Sequence, residues 1–269
     1  VAVGFFYGID GFMTSFRAWL CTLKVYTQPA SLRMLALGFS AGLPLLLVLG
    51  TLSFWLREAG IDRTTIGYLS WVGLAYAFKW VWAPLVDRLP LPGLTRRLGR
   101  RRSWLLLSQL LIAAGLLGMA SQNPQLALTP MVWSALVVAF GSATQDIALD
   151  AYRIESASMQ EQAALAATYQ TGYRLAMIWA GAGVLWVATL AQGAQLGYAV
   201  RAWQVAYSVM AACMVVGIVT VLLSPEPQPR PLPPSRSVQE WLHSALVAPF
   251  ADFIARYRWQ AALVLDLIA

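Results

Sequence analysis

Of 269 residues, 59% are hydrophobic and only 12% charged, and the mean hydropathy is +0.61. Soluble domains carry about 25% charged residues, so this balance excludes an ordinary soluble domain and makes the chain a polytopic membrane protein. The net charge of +7 does not point to nucleic acid, because the basic residues lie in short segments between apolar runs; Cys21, Cys213 and the single His243 build neither a disulfide framework nor a metal site.

Residues 1–31 carry Asp10, Arg17 and Lys24. No long uncharged span fits there, and no charged n-region precedes an apolar core as in a signal peptide. The stretch reads as a cytoplasmic N-terminal arm. A helix crosses a bilayer with about 20 apolar residues, and six segments between residues 32 and 223 qualify. They are Met34–Leu56, Thr65–Val86, Ser103–Ala120, Leu128–Asp150, Ala166–Ala191 and Trp203–Leu223. In the first, Gly38 and Gly42 form a small-xxx-small pair that permits close helix approach, and Pro44 predicts a bend. Spans three and six carry few polar groups (Ser108 and Gln109 in span three) and are expected to face lipid, with spans one, two, four and five lining the interior.

After span six, "SPEPQPRPLPPSR" holds six prolines and predicts a semi-rigid extended spacer. From Val238 to Tyr257 apolar residues approximate one helical face, interrupted at Pro249. That helix fits either the cytoplasmic leaflet interface or the bundle surface. Residues 224–258 thus form a cytoplasmic linker, and 259–269 open a seventh span that the chain end cuts short. Fourteen of the 19 basic residues fall in the arm, the loops after spans two and four, and the linker; only Arg57, Arg63 and Arg201 fall in the opposite loops. This asymmetry places the N-terminus in the cytoplasm.

Ionisable groups inside a membrane cost about 2.5–3.5 kcal/mol each on insertion scales and mark pathways or partners. Lys79 lies about 10 Å from the cytoplasmic end of span two and Arg174 about 12 Å into span five. In "ATQDIALDAYRIE", Asp146 and Asp150 stand four residues apart on one helical face. Two carboxylates there repel unless a cation is close, and Lys79, Arg174 or Arg153 could serve. Arg153 is three residues from Asp150, within reach on the same helix. One reading is a charged half-cavity for a zwitterionic or anionic solute and a coupling proton; the other is ion pairs that lock helix to helix. The deeper Lys79 and Arg174 favour the cavity, Asp150 and Arg153 the lock, and Asp146 fits both. In the loop between spans two and three, Asp87 can accept from an arginine or from the next helix's N-terminal amides, beside Arg88 and the Arg100–Arg102 cluster.

"PLVDR…GRRR" resembles a stretched loop signature of the major facilitator superfamily. The ordered set "QPASLRMLALGFSAGLPLLL", "YAFKWVWAPLVDR", "GRRRSWLL", "SATQDIALDAYRIE" and "TGYRLAMIWAG" resembles the AmpG-type muropeptide permeases and, more distantly, the acetyl-coenzyme A transporters. The resemblance implies an all-α membrane bundle of the major-facilitator type, here a six-span N-terminal half plus the start of span seven. It implies proton-coupled import of anhydro-muropeptides across the bacterial inner membrane for peptidoglycan recycling, without enzymatic activity or a cofactor. Its partners would be a small solute, protons, membrane lipids and a C-terminal six-span half. Lys79, Gln145, Asp146 and Arg174 are the implied substrate and proton pathway. Asp87, Arg88, Arg100, Asp150 and Arg153 are the expected gate and structural ion pairs. The alternatives are a non-transporting fragment of a carrier or a carrier of another solute such as acetyl-coenzyme A.

Overall fold

The computed structural model describes residues 24–158, 161–228, 251–252 and 255. Most of the N-terminal arm, the proline-rich spacer with its amphipathic helix and the start of the seventh span lie outside the described residues. All regular structure among the described residues is helical. In chain order the helices are α1 (Pro29–Glu58), α2 (Arg63–Leu69), α3 (Leu74–Ala77), α4 (Ala83–Arg88), α5 (Leu94–Leu98), α6 (Arg100–Ala120), α7 (Leu128–Ser156), α8 (Gln162–Gln192) and α9 (Val200–Leu223). α1, α6, α7, α8 and α9 are long and apolar enough to cross a membrane.

The expected second span is not among these as a single helix. Thr65–Val86 is not one α-helix; α2, α3 and α4 are joined by 3-10 turns at Ser70–Gly73 and Lys79–Val81. Two causes are visible. Pro84 has no N–H to give the Trp80 carbonyl, and Phe78 (φ −91°, ψ 6°) and Trp82 (φ −105°, ψ −1°) sit near the bridge region where helical turns tighten. Tertiary packing, which holds most helices in shape, is also sparse here. Tyr68, Trp71, Leu74, Phe78 and Trp80 are exposed, and only Val72 and Val86 are buried.

α1 and α8 cross closely because glycine brings their backbones together. A Cβ on Gly38 or Gly42 would overlap the carbonyl oxygens of Tyr169 and Tyr173, and one on Gly172 the carbonyl of Leu35. Each of these helices contains one π turn, Leu47–Thr51 in α1, just after Pro44, and Trp179–Gly183 in α8. Irregular backbone at membrane depth needs partners from its neighbours. Thr51 donates to the Ala180 carbonyl at 2.8 Å, and Tyr207 of α9 donates to the Leu47 carbonyl at 2.8 Å.

α6 and α9 do present apolar residues outward, Leu110 and Leu117 on one, Val215, Val216 and Val219 on the other. Their other faces close the bundle, so neither is simply a lipid-facing helix. Gln109 of α6 is fully buried and donates to Ser40 Oγ of α1 at 3.3 Å; Gln145 of α7 donates to the same oxygen at 3.1 Å. Gly217 of α9 packs directly on this node, where a Cβ would lie 2.5 Å from Ser40 Oγ.

Candidate functional site

α7 carries the residues that matter most, because its last three turns meet α1, α8, α6 and the 74–88 stretch. Asp146 projects toward the 3-10 turn of residues 79–81, and its Oδ2 lies 3.8 Å from Lys79 Nζ. The aspartate side chain is 19% exposed and the lysine 41%. Around them stand three tyrosines, Tyr76 beside Lys79 and Tyr169 and Tyr173 from α8, all within electrostatic range of Asp146. The two α8 rings lie 6.0 Å apart. Tyr76 faces Ser142 of α7, yet its buried hydroxyl makes no hydrogen bond of good geometry. Trp82 pins the irregular stretch to α7 by donating to Thr144 Oγ1 at 3.1 Å and packing on Phe140 at 4.9 Å.

Asp150, one turn further on, belongs to a different pair. Arg153 Nη2 donates to its Oδ1 at 3.2 Å, and the same guanidinium sits 5.8 Å from the centre of the Tyr169 ring. The two aspartates share a helical face but not a partner. Lys79 is matched to one and Arg153 to the other, so the i, i+4 repulsion is answered twice. Such a set can hold a polar solute by its tyrosine hydroxyls and change its net charge when a proton reaches Asp146.

Two expected pathway residues stand apart. Gln145 points into the bundle at 0% exposure, bonded to Ser40; it neighbours Asp146 in sequence but is turned about 100° around the helix. Arg174 is exposed, and its Nη1 lies 3.9 Å from the Met177 sulfur. Among the described residues it has no carboxylate at ion-pair distance, so it does not neutralise either aspartate.

At the end of the bundle carrying the arginine cluster, the centre is Arg101 rather than Arg100. Arg101 is 6% exposed. It donates through Nη1 to Asp87 at 2.7 Å and through Nη2 and Nε to Glu155 at 2.6 and 3.0 Å. Arg100 lies at the edge, 3.9 Å from Glu155. Asp87 takes the arginine; the α6 N-terminal amides go to Glu226, which accepts from Arg101 N and Arg102 N at 2.8 and 3.1 Å. A carboxylate at a helix N-terminus satisfies orphan donors and opposes the dipole. Gly99 makes room for it, with φ +86° and the Glu226 carboxylate where a Cβ would stand. Arg102 returns the favour at the end of α9, donating to the Val221 and Leu222 carbonyls at 2.8 and 2.6 Å, and Tyr152 donates to the Pro225 carbonyl at 3.0 Å. The ends of α4, α6, α7 and α9 are thereby tied together. Arg88, next to Asp87 in sequence, also has an interaction partner. A cavity of about 310 Å³ opens beside the network, between Arg33, Tyr152, Glu155 and Glu226. Sequence spacing gave no signal for Glu155 or Glu226 as partners, since they lie 54 and 125 residues from Arg101.

Among the described residues no group of three His, Cys, Asp or Glu is placed to hold a metal ion.

Comparison with known proteins adds independent observations. Residues 30–268 match the profile of the Major Facilitator Superfamily. The chain is 40% identical over 246 residues to the anhydromuropeptide permease of Escherichia coli (strain K12), covering 91% of this chain and 46% of that protein. It is 33% identical over 234 residues to a putative transporter AmpG 4 of Rickettsia conorii, covering 87% of this chain and 54% of that one. A Haemophilus influenzae protein without a described activity is 37% identical over 192 residues, covering 71% of this chain and 42% of its own length. The chain thus spans about half the length of the curated relatives it matches.

Proposed function

The chain belongs to the major facilitator superfamily, and from that premise we propose that it forms one bundle of a two-bundle secondary transporter that imports anhydro-muropeptides. In this reading residues 32–223 form the first bundle, residues 224–258 link it to the second, and the N-terminus and arginine-rich ends face the cytoplasm of a bacterial inner membrane. The membrane itself is supported by five long apolar helices, and the solute class by the 40% identity to an anhydromuropeptide permease.

The observation that carries the mechanism is the Lys79–Asp146 pair among Tyr76, Tyr169 and Tyr173. Lys79 sits on an irregular 3-10 turn, which can shift with little loss of regular hydrogen bonding, whereas Asp146 sits on a long regular helix. Protonating Asp146 removes the charge that holds Lys79, so the 74–88 stretch is released from α7 on that side. Coupling follows when solute and proton favour the same arrangement. Arg174, exposed and without an acidic partner among the described residues, is available to a solute carboxylate. Arg101, Glu155 and Glu226 act as the cytoplasmic latch that the rocking motion opens and closes.

The test is uptake of labelled N-acetylglucosaminyl-anhydro-N-acetylmuramic acid under an imposed proton gradient, in proteoliposomes that hold this chain joined to its second bundle. Asp146→Asn is expected to abolish gradient-driven accumulation. Accumulation that is equal in parent and variant, or absent from the parent, contradicts the proposal.

A further inference from the structure

The end of the bundle opposite the arginine-rich loops carries three basic residues, Arg57, Arg63 and Arg201. Basic residues are disfavoured on that side by the rule that sets membrane orientation, so two of them converging on one spot do not serve topology. Arg57, in the last turn of α1, and Arg63, first residue of α2, line the same pocket of about 240 Å³ with Ser53, Phe54 and Ile66. Both arginines are exposed. Among the described residues neither has a carboxylate at ion-pair distance.

The acidic residues nearest in sequence are already committed elsewhere. Glu58 accepts the Trp203 indole N–H at 2.7 Å, and Asp62 accepts Thr65 N and Thr65 Oγ1 at 2.9 and 2.6 Å. What remains is a pocket with two guanidinium groups, a serine hydroxyl and the face of Phe54, which is 62% exposed. Guanidinium groups recognise carboxylates through paired charge-assisted hydrogen bonds. An apolar wall with a few placed polar groups is the usual make-up of a small-solute pocket.

We propose that Arg57 and Arg63 form a capture site for the carboxylate of a sugar-acid solute, with Phe54 packing on the apolar face of its pyranose ring. The site lies at the far mouth from Lys79 and Asp146 and meets the solute first. This rests on the reading of the chain as a carrier of anhydro-muropeptides; the peptide-free disaccharide carries a free lactyl carboxylate, and in peptide-bearing forms, where that carboxyl is in the amide bond to the peptide, the peptide's own carboxylates take its place. In that reading the site sets charge selectivity before transport begins.

The experiment is equilibrium binding to the 269-residue chain in proteoliposomes. The probes are N-acetylmuramic acid, which has the carboxylate, N-acetylglucosamine, which lacks it, and inorganic phosphate as competitor. The parent is expected to prefer the acid. Arg57→Gln with Arg63→Gln lowers affinity for the acid about tenfold or more and leaves N-acetylglucosamine unchanged. Phe54→Ala weakens both sugars, and Arg201→Gln weakens neither. Equal affinity of parent and double variant for the acid overturns the proposal. So does a parent that binds neither sugar or does not discriminate between them, and so does phosphate displacing the acid at equal concentration. If carboxylate-dependent binding at Arg57 and Arg63 persists while proton-driven uptake fails, the capture site stands and the transport reading falls.

Discussion

The two ends of the bundle are built from different materials. At the end where α1 meets α9, the contacts are aromatic. Trp55 is fully buried, stacked on Trp203 at 5.9 Å and packed on Tyr207 at 5.0 Å, and it donates to the Tyr198 hydroxyl at 3.0 Å. At the other end the contacts are ionic, with Arg101 between Asp87 and Glu155 and Glu226 on the α6 amides. Aromatic packing rests mainly on buried area with a modest geometric preference, so it tolerates small shifts and gains little by coming apart and reforming. An ion-pair network is two-valued, because each partner is either within hydrogen-bond distance or exposed to water. Under the proposed rocking of this bundle against a second one, the ionic end is the one built to release, and the aromatic end the one built to keep the helices together.

The largest expected effect comes from breaking the ionic end. Arg101→Leu removes the guanidinium from Glu155, which is 8% exposed and still has Arg100 at 3.9 Å, and from Asp87, which is 45% exposed; removing one member of a buried pair costs about 3–5 kcal/mol, and the solvent-screened Asp87 side adds little. Arg101→Lys restores the charge but not the fork that spans both carboxylates, so thermal unfolding in detergent should place it between the parent and Arg101→Leu. If Arg101→Lys equals the parent, geometry is not what the network requires.

At the aromatic end, Trp55→Phe keeps most of the packing and loses the bond to Tyr198. The expected loss is about 1–2 kcal/mol, with no change when the salt concentration is raised. The parent is expected to lose stability as salt is raised, and Arg101→Leu should flatten that dependence. A salt response unaffected by Arg101→Leu would erase the contrast between the ends.

The smallest effect belongs to the α2 cap. Thr65 donates from both its backbone and its side chain to Asp62, and these bonds hold the carboxyl below its ordinary value of 3.8. A depressed aspartate stabilises the folded form above its unfolded pKa and loses that contribution as pH falls through the lower folded value. Amide exchange at Thr65 should therefore speed up as pH is lowered below about 3.8, once the intrinsic exchange rate is divided out. Asp62→Ala should abolish that step, and an unchanged step in the variant would assign it to another group.

Much of this was legible in the residues because it is local. Hydropathy located five long helices, since crossing a bilayer is a matter of length and polarity. The Asp150–Arg153 pair followed from a three-residue spacing, and the Gly38 and Gly42 pair from a four-residue one. What escaped was what spacing does not encode. Glu226 reaches α6 from 125 residues away, and Trp203 reaches Glu58 across 145. Gln109 looked like a stray polar group on a lipid-facing span and is instead bonded to Ser40 in the bundle's interior. Hydropathy also could not see that the second apolar segment lacks continuous α-helical bonding, because Pro84 and poor packing alter hydrogen bonds without altering polarity.

The hydroxyl contacts to the two π turns also bear on how the protein is made. The Tyr207 hydroxyl reaches a carbonyl synthesised 160 residues before it, and the Ala180 carbonyl meets a threonine made 129 residues earlier. Ribosomes add about 5–20 residues per second, so Leu47 waits on the order of 8–30 s for Tyr207 to be translated. During that interval the π turn of α1 lacks the tyrosine hydroxyl that later bonds to it. The early spans are therefore provisional, and the fold closes only when α9 arrives.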